Sequence, residues 1–183
     1  MKIVKIDSQI PRDIRYATRN NFTGVAVYSI AECYLEEVAA QALQEAQKEL
    51  VSLGFSLKAF DGYRPLSVQK IFWDLLPDET YVANPSKGSR HNRGCAIDVT
   101  LIDLKSGQEL DMGTDFDDFS EKAHRNYTAI SNTVLENRAL LERIIHKHGF
   151  IGWHAEWWHF DYKDWEQYPI RDISFEELNK QQP

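Results

Sequence analysis

The sequence predicts an α+β fold: one domain, mainly an antiparallel sheet flanked by helices. Three observations predict it. The chain has 183 residues, a length that suits one domain, and shows no internal repeat or Gly/Ser linker that would split it. Three helical segments stand apart from the strand-like ones instead of alternating with them. The β-branched stretch 97–102 runs into Lys105-Ser106-Gly107, a turn that leads to Glu109-Leu110-Asp111 and so predicts a hairpin. The domain is expected to span residues 1–183.

The first helix is predicted from Ser29 to Gly54. Ser29 and Glu32 form a capping box, and Gly54 takes the left-handed position after the last turn. Leu35, Val38, Ala42, Leu43, Ala46 and Leu50 supply its apolar stripe. Phe55 to Phe60 alternates as a short strand. Pro65 opens a second helix, which ends near Leu76 because Pro77 stops it. Residues 77–90 read as loop. Ile97 to Ile102 is a buried strand, and a third helix runs from near Asn132 to His148, with Gly149 as its stop. Strands follow at about Phe150–Trp153 and Trp157–Tyr162.

Composition narrows the function classes. Hydrophobic residues make up 43% and charged residues 27%, as in an ordinary globular protein. No apolar run approaches the roughly 18 residues that a membrane span needs. The net charge is −7, and Lys and Arg are scattered singly, so nucleic acid is not an expected partner. Two cysteines, Cys33 and Cys95, cannot build a disulfide framework. The first residues carry no apolar run followed by small residues. A cytoplasmic location is therefore expected, although a processed form would read the same.

Two constellations carry chemistry. In Ser89-Arg90-His91-Asn92-Arg93-Gly94-Cys95-Ala96-Ile97-Asp98, His91 lies in a polar loop, Gly94 permits a sharp turn and Asp98 enters a strand. A carboxylate on an otherwise apolar strand needs a partner, either a metal or an arginine. In His154-Ala155-Glu156-Trp157-Trp158-His159-Phe160-Asp161-Tyr162, Glu156 and His159 are three apart. On a regular strand they would face opposite sides, so a shared site requires Glu156 to sit in a bulge or in the incoming loop. Taken together, His91, Asp98 and His159 are three ligands of the kind zinc takes in catalytic sites. Glu156 is then available as a general base. Trp157 and Trp158 are expected to wall the site, and Asp161 can accept from a ligating histidine. His154 is the one rival for the metal. Arg64, in Asp61-Gly62-Tyr63-Arg64-Pro65, can serve a developing oxyanion or form an ion pair with Asp61.

The pattern S-x-H-x-x-G-x-A-x-D, followed at a distance by E-x-x-H, resembles the zinc metallopeptidases that act on D-Ala-D-Ala. These share their fold with the amino-terminal signalling domain of hedgehog proteins. Tyr16-Ala17-Thr18-Arg19-Asn20-Asn21-Phe22-Thr23-Gly24, with Asp61–Pro65 and Glu156-Trp157-Trp158-His159, is similar to the D-alanyl-D-alanine dipeptidase branch, the VanX type. The likeness spans about Tyr16 to Tyr168. It implies one zinc ion on His91, Asp98 and His159, Glu156 as catalytic base and Arg64 as transition-state stabiliser. It also implies Asp117 as the partner of the dipeptide's ammonium group, with Tyr16 and Ser89 lining the pocket.

The expected activity is zinc-dependent hydrolysis of the small dipeptide D-Ala-D-Ala, whose carboxylate would meet a backbone or arginine contact. The alternatives are a D,D-carboxypeptidase, an L,D-endopeptidase of peptidoglycan, and a non-catalytic zinc-stabilised binding module. Two departures from the branch stand out. The stretch before His91 is short, and Cys95 replaces a small polar residue, with a buried inert thiol expected there.

Overall fold

The structure, a computed structural model, describes residues 1–181, so the last two positions of the expected span lie outside it. In chain order the elements are β1 (Ile3–Lys5), β2 (Tyr34–Glu36), α1 (Glu37–Ser52), β3 (Phe55–Asp61), α2 (Leu66–Leu75), β4 (Ala96–Asp103), α3 (Asn132–Lys147), β5 (Phe150–Gly152), β6 (His159–Tyr162) and α4 (Phe175–Gln181). β1 and β2 make a two-stranded antiparallel sheet. The other four strands form one antiparallel sheet in the order β3-β4-β6-β5. The α+β expectation holds. Among the described residues, no helix is long and apolar enough to cross a membrane.

β4 explains the layering. Ile97, Val99 and Leu101 alternate with Asp98 and Thr100, so the strand presents an apolar and a polar face. The apolar set joins Leu43, Ala46 and Leu50 of α1, Leu141, Ile144 and Ile145 of α3, and Phe150 and Phe160 of the neighbouring strands in one core. Each of the larger side chains in this set contributes about 1.5–3 kcal/mol by leaving water. The polar face carries the site. β3 follows the same alternation until its pairing with β4 slips by one residue between Ala59 and Asp61. Phe60 is the additional residue of this bulge, which sets Asp61 beside Asp98.

The start of the first helix needs correction. Residues 29–33 are loop, and Tyr34–Glu36 is strand, because Tyr34 and Leu35 bury completely while their backbone pairs with Lys5 and Val4. Ser29 and Glu32 make no capping box; the Glu32 carboxylate instead accepts from the Cys33 N–H and pairs with Arg12. Val38, assigned to the apolar stripe, is exposed, while Ala39, Ala40 and Gln47 take the buried face. Gly54 does follow the helix at φ 89°. The predicted hairpin closes on one bridge, Ile102 with Glu109, and has no full return strand.

Loops reach the site through two arginines, Arg138 buried and Arg125 half-buried. Arg138 of α3 donates to the Met112, Lys122 and His124 carbonyls and so shapes the segment that carries Asp117. Arg125 donates to the Trp153, Trp157 and His159 carbonyls and fixes the turn that carries Glu156.

Candidate active site

Three strands meet where the site forms. Asp98 on β4 lies directly opposite Asp61 on β3 and His159 on β6, so the sheet register alone aligns these three. His91 arrives from a 3-10 turn, His91–Arg93, closed by Gly94 in the left-handed region at φ 68°. A Cβ on Gly94 would stand 2.5 Å from Ile3 Cδ1 and 3.0 Å from the Glu36 nitrogen, so only glycine makes this turn against β2. β2 also ties the second loop of the site: the Tyr34 carbonyl accepts from the Tyr63 N–H, while Glu36 N–H donates to Gly94 O.

His91, Asp98 and His159 offer donor atoms that all lie within 4.8 Å of one another, and all three side chains are buried. His91 Nε2 is 3.2 Å from His159 Nδ1, which is 3.0 Å from Asp98 Oδ1. The outer ring nitrogens are committed. His91 Nδ1 donates to the Gly62 carbonyl at 2.6 Å, and His159 Nε2 donates to Asp161 Oδ1 at 2.9 Å. With those protons outward, two imidazole lone pairs and a carboxylate converge on one point. Such a cluster of acceptors calls for a cation, and the donor set of two histidines and one aspartate suits a divalent metal.

The Asp98 and Asp161 carboxylates draw positive charge to this point: in the metal-free chain they favour a proton on His159, which a bound metal would displace. Burial disfavours the charged form of His159, but Asp161 and Asp98 outweigh it and raise its pKa to about 10. Burial works to raise Asp98 as well, yet His91 and His159 hold it well below the usual carboxylate range.

One cleft is lined by all eight residues to which the resemblance gives a catalytic, metal or substrate role: Tyr16, Arg64, Ser89, His91, Asp98, Asp117, Glu156 and His159. Glu156 sits in the turn before β6, with Oε2 3.7 Å from His159 Nδ1. It occupies the incoming loop that a shared site requires. Burial, with Asp98 and Asp117 nearby, pushes its pKa up to about 8. Asp117 adopts a left-handed φ of 63°. Its Oδ1 accepts from the Tyr16 hydroxyl at 3.0 Å, and its buried Oδ2 has no hydrogen-bond partner. Burial and then the Asp98 charge raise its pKa to about 8. Arg64 does pair with Asp61, at 3.1 Å from Nε and 2.7 Å from Nη2, and its Nη1 donates to Gln69. It lines the cleft as well, so the ion pair and a role toward a ligand are compatible. Ser89 Oγ accepts from the His91 N–H.

The Peptidase M15 family, described as D-ala-D-ala dipeptidase, matches residues 1–177. The chain belongs to this family. It is a metallopeptidase. It is 38% identical over 158 residues to the D-alanyl-D-alanine dipeptidase of Escherichia coli, covering 86% of this chain and 81% of that one. It is 36% identical over 183 residues to the D-alanyl-D-alanine dipeptidase of Enterococcus faecalis, covering 89% and 90%. The fold matches that of the LdcB LD-carboxypeptidase with a TM-score of 0.52 at 22% identity, over 99% of this chain and 78% of that one.

His154 stays out of the cluster, exposed, with its ring against Trp153. One sequence expectation, that Trp157 walls the site, needs adjustment. Its indole turns away and donates to Thr114 Oγ1, so Trp153 joins Trp158 there instead. Cys95 is buried, and its thiol is pushed up to about 12 by burial. Sequence reasoning missed Gln69. It sits fully buried between Arg64 and the Ala83 carbonyl of the 77–90 loop. The available signal was a glutamine at a position that the helical pattern turns toward the core.

Proposed function

We propose that the chain is a single zinc dipeptidase domain over residues 1–183 and hydrolyses D-Ala-D-Ala to two D-alanines. His91, Asp98 and His159 hold the ion. Bound there, zinc supplies a Lewis acid that acidifies water and polarises the scissile carbonyl. The observation that carries this reading is the convergence of those three acceptors with the Glu156 carboxylate in one cleft. The names of the curated relatives supply the dipeptide.

Glu156 takes a proton from the attacking water as the water oxygen bonds to the carbonyl carbon. The same carboxyl passes that proton to the departing amine as the C–N bond breaks, so the two products leave balanced. Arg64 spends three of its five N–H donors on Asp61 and Gln69. The remaining two serve the oxyanion, and the Asp61 and Gln69 contacts hold the guanidinium still before the charge develops. The unpartnered Asp117 Oδ2, with Tyr16 on the other oxygen, receives the substrate's ammonium group. That preference for a free amino terminus favours a dipeptide over a carboxypeptidase substrate. Ser89 lines the pocket beside His91.

The test measures bound zinc and D-alanine release together, on wild type, His91→Ala and Glu156→Ala. The expected result is one zinc per wild-type chain, none on His91→Ala, and on Glu156→Ala bound zinc with a rate lower by about 10²–10⁴-fold. Near-normal turnover of zinc-loaded Glu156→Ala refutes the base assignment.

A further inference from the structure

We propose that Arg90 grips the free carboxylate end of the substrate and makes the cleft selective for peptides that end there. The proposal rests on the dipeptidase reading and adds the residue that reads the second terminus. Arg90 lines the cleft next to Ser89 and His91. Its guanidinium carbon lies 4.6 Å from the centroid of the Trp165 ring and 5.4 Å from that of Trp153. Two indoles therefore fix the plane of the cation while stripping part of its water, and each adds a cation–π attraction.

What Arg90 lacks is an acceptor. Its Nε is buried without a hydrogen-bond partner, and none of its N–H groups donates to another described residue. Asp161 Oδ2 is 3.5 Å from Nε, an ion pair beyond good hydrogen-bond length, and the other oxygen of Asp161 is occupied by His159. Arg64 is the opposite case: Asp61 and Gln69 already use most of its fork. The two donors left on Arg64 serve the oxyanion, so of the two arginines in the cleft it is Arg90 whose planar fork remains to meet a carboxylate in bidentate fashion.

The placement matches the charge of a zwitterion. Asp117, Tyr16 and Arg64 gather toward β3, where Asp61 stands, and Asp117 leaves one carboxylate oxygen unpartnered. Arg90 is tied to Asp161 on β6, and β4 with Asp98 lies between the two strands. A dipeptide whose scissile carbonyl lies at the His91–Asp98–His159 cluster thus has a negative group waiting on one side and a positive group on the other. Extending the substrate at its carboxyl end would carry the carboxylate past Arg90 and leave that arginine without its partner.

The experiment compares kcat/KM for D-Ala-D-Ala and for its C-terminal amide, with bound zinc measured in parallel, on wild type, Arg90→Gln and Arg90→Lys. Wild type is expected to prefer the free acid by about 10–100-fold, the range of a lost hydrogen bond to a charged group. Arg90→Gln is expected to erase most of that preference, mainly through KM for the acid, and Arg90→Lys to keep part of it. An equal loss on both substrates, with zinc binding weakened, would show that Arg90 serves only Asp161 and overturns the assignment. So would an unchanged acid-over-amide ratio in Arg90→Gln. Should that variant fail to fold, wild type decides alone: no preference for the acid overturns the assignment. Wild type that cleaves neither substrate refutes the dipeptidase reading itself.

Discussion

His159 and Asp161 are two residues apart on one strand, and Asp161 Oδ1 accepts the His159 Nε2 proton at 2.9 Å. Positions i and i+2 of a strand share a face, so the histidine and its acceptor come as one unit of local geometry. The acceptor fixes the tautomer and aims Nδ1 at His91 and Asp98. Asp161→Ala is expected to lower zinc affinity by about 10–100-fold while the fold persists. Competition with a chromogenic chelator measures this, and wild-type affinity in the variant would remove Asp161 from the account.

Arg64→Lys keeps the charge and loses the fork. A lysine cannot satisfy Asp61 and Gln69 together and still face the cleft. The expected outcome is a kcat reduced by about 10²–10³-fold with zinc content unchanged. Steady-state kinetics on zinc-loaded protein provide the check. A change confined to KM would argue for substrate binding instead of oxyanion stabilisation.

Asp117 links the site to stability. Its carboxyl titrates near pH 8 in the folded chain, above the ordinary 3.8, because burial and then Asp98 oppose its charge. A group raised on folding contributes most below its unfolded pKa, and that contribution is lost as pH rises through the folded value. Metal-free wild type should therefore lose Tm relative to Asp117→Asn between about pH 4 and pH 8, with little further divergence above. Thermal melts in chelator across that range test it, and parallel curves would contradict the assignment.

Gly62 is a second place where a methyl group would be felt at the site. Its Cβ would meet the Tyr34 carbonyl oxygen at 2.6 Å and Cys33 Sγ at 2.7 Å. The Gly62 carbonyl is also what orients His91. Gly62→Ala is expected to cost about 1–3 kcal/mol of stability and to weaken zinc binding, as read by denaturant melts and the chelator assay.

The parts of the molecule legible in the sequence are those where local pattern and tertiary packing agree. β3, α2, β4 and α3 fall within a residue or two of expectation because their periodicity, proline and glycine signals all point one way. His91 and Asp98 were legible through the glycine turn and the polar residue in an apolar strand. The β1–β2 sheet was not, since three-residue strands leave no period to read. Ser29 and Glu32 imitate a capping box, but a helix begun there could not also give Tyr34 and Leu35 to a strand. The bond between Tyr16 and Asp117 spans 101 positions. Arg125 and Arg138 lace loops to carbonyl oxygens, and carbonyls carry no side-chain signature.

The slip at Phe60 has a consequence for anyone who grafts this constellation onto another scaffold. Ser56 and Asp61 are five steps apart, an odd number, so an unbroken ladder sends them to opposite sides. Here they share a side, because one additional residue resets the count between Ala59 and Asp61. Copied onto a regular strand, Asp61 would point into the helical layer. Arg64 would then lose its carboxylate although every transplanted residue was present.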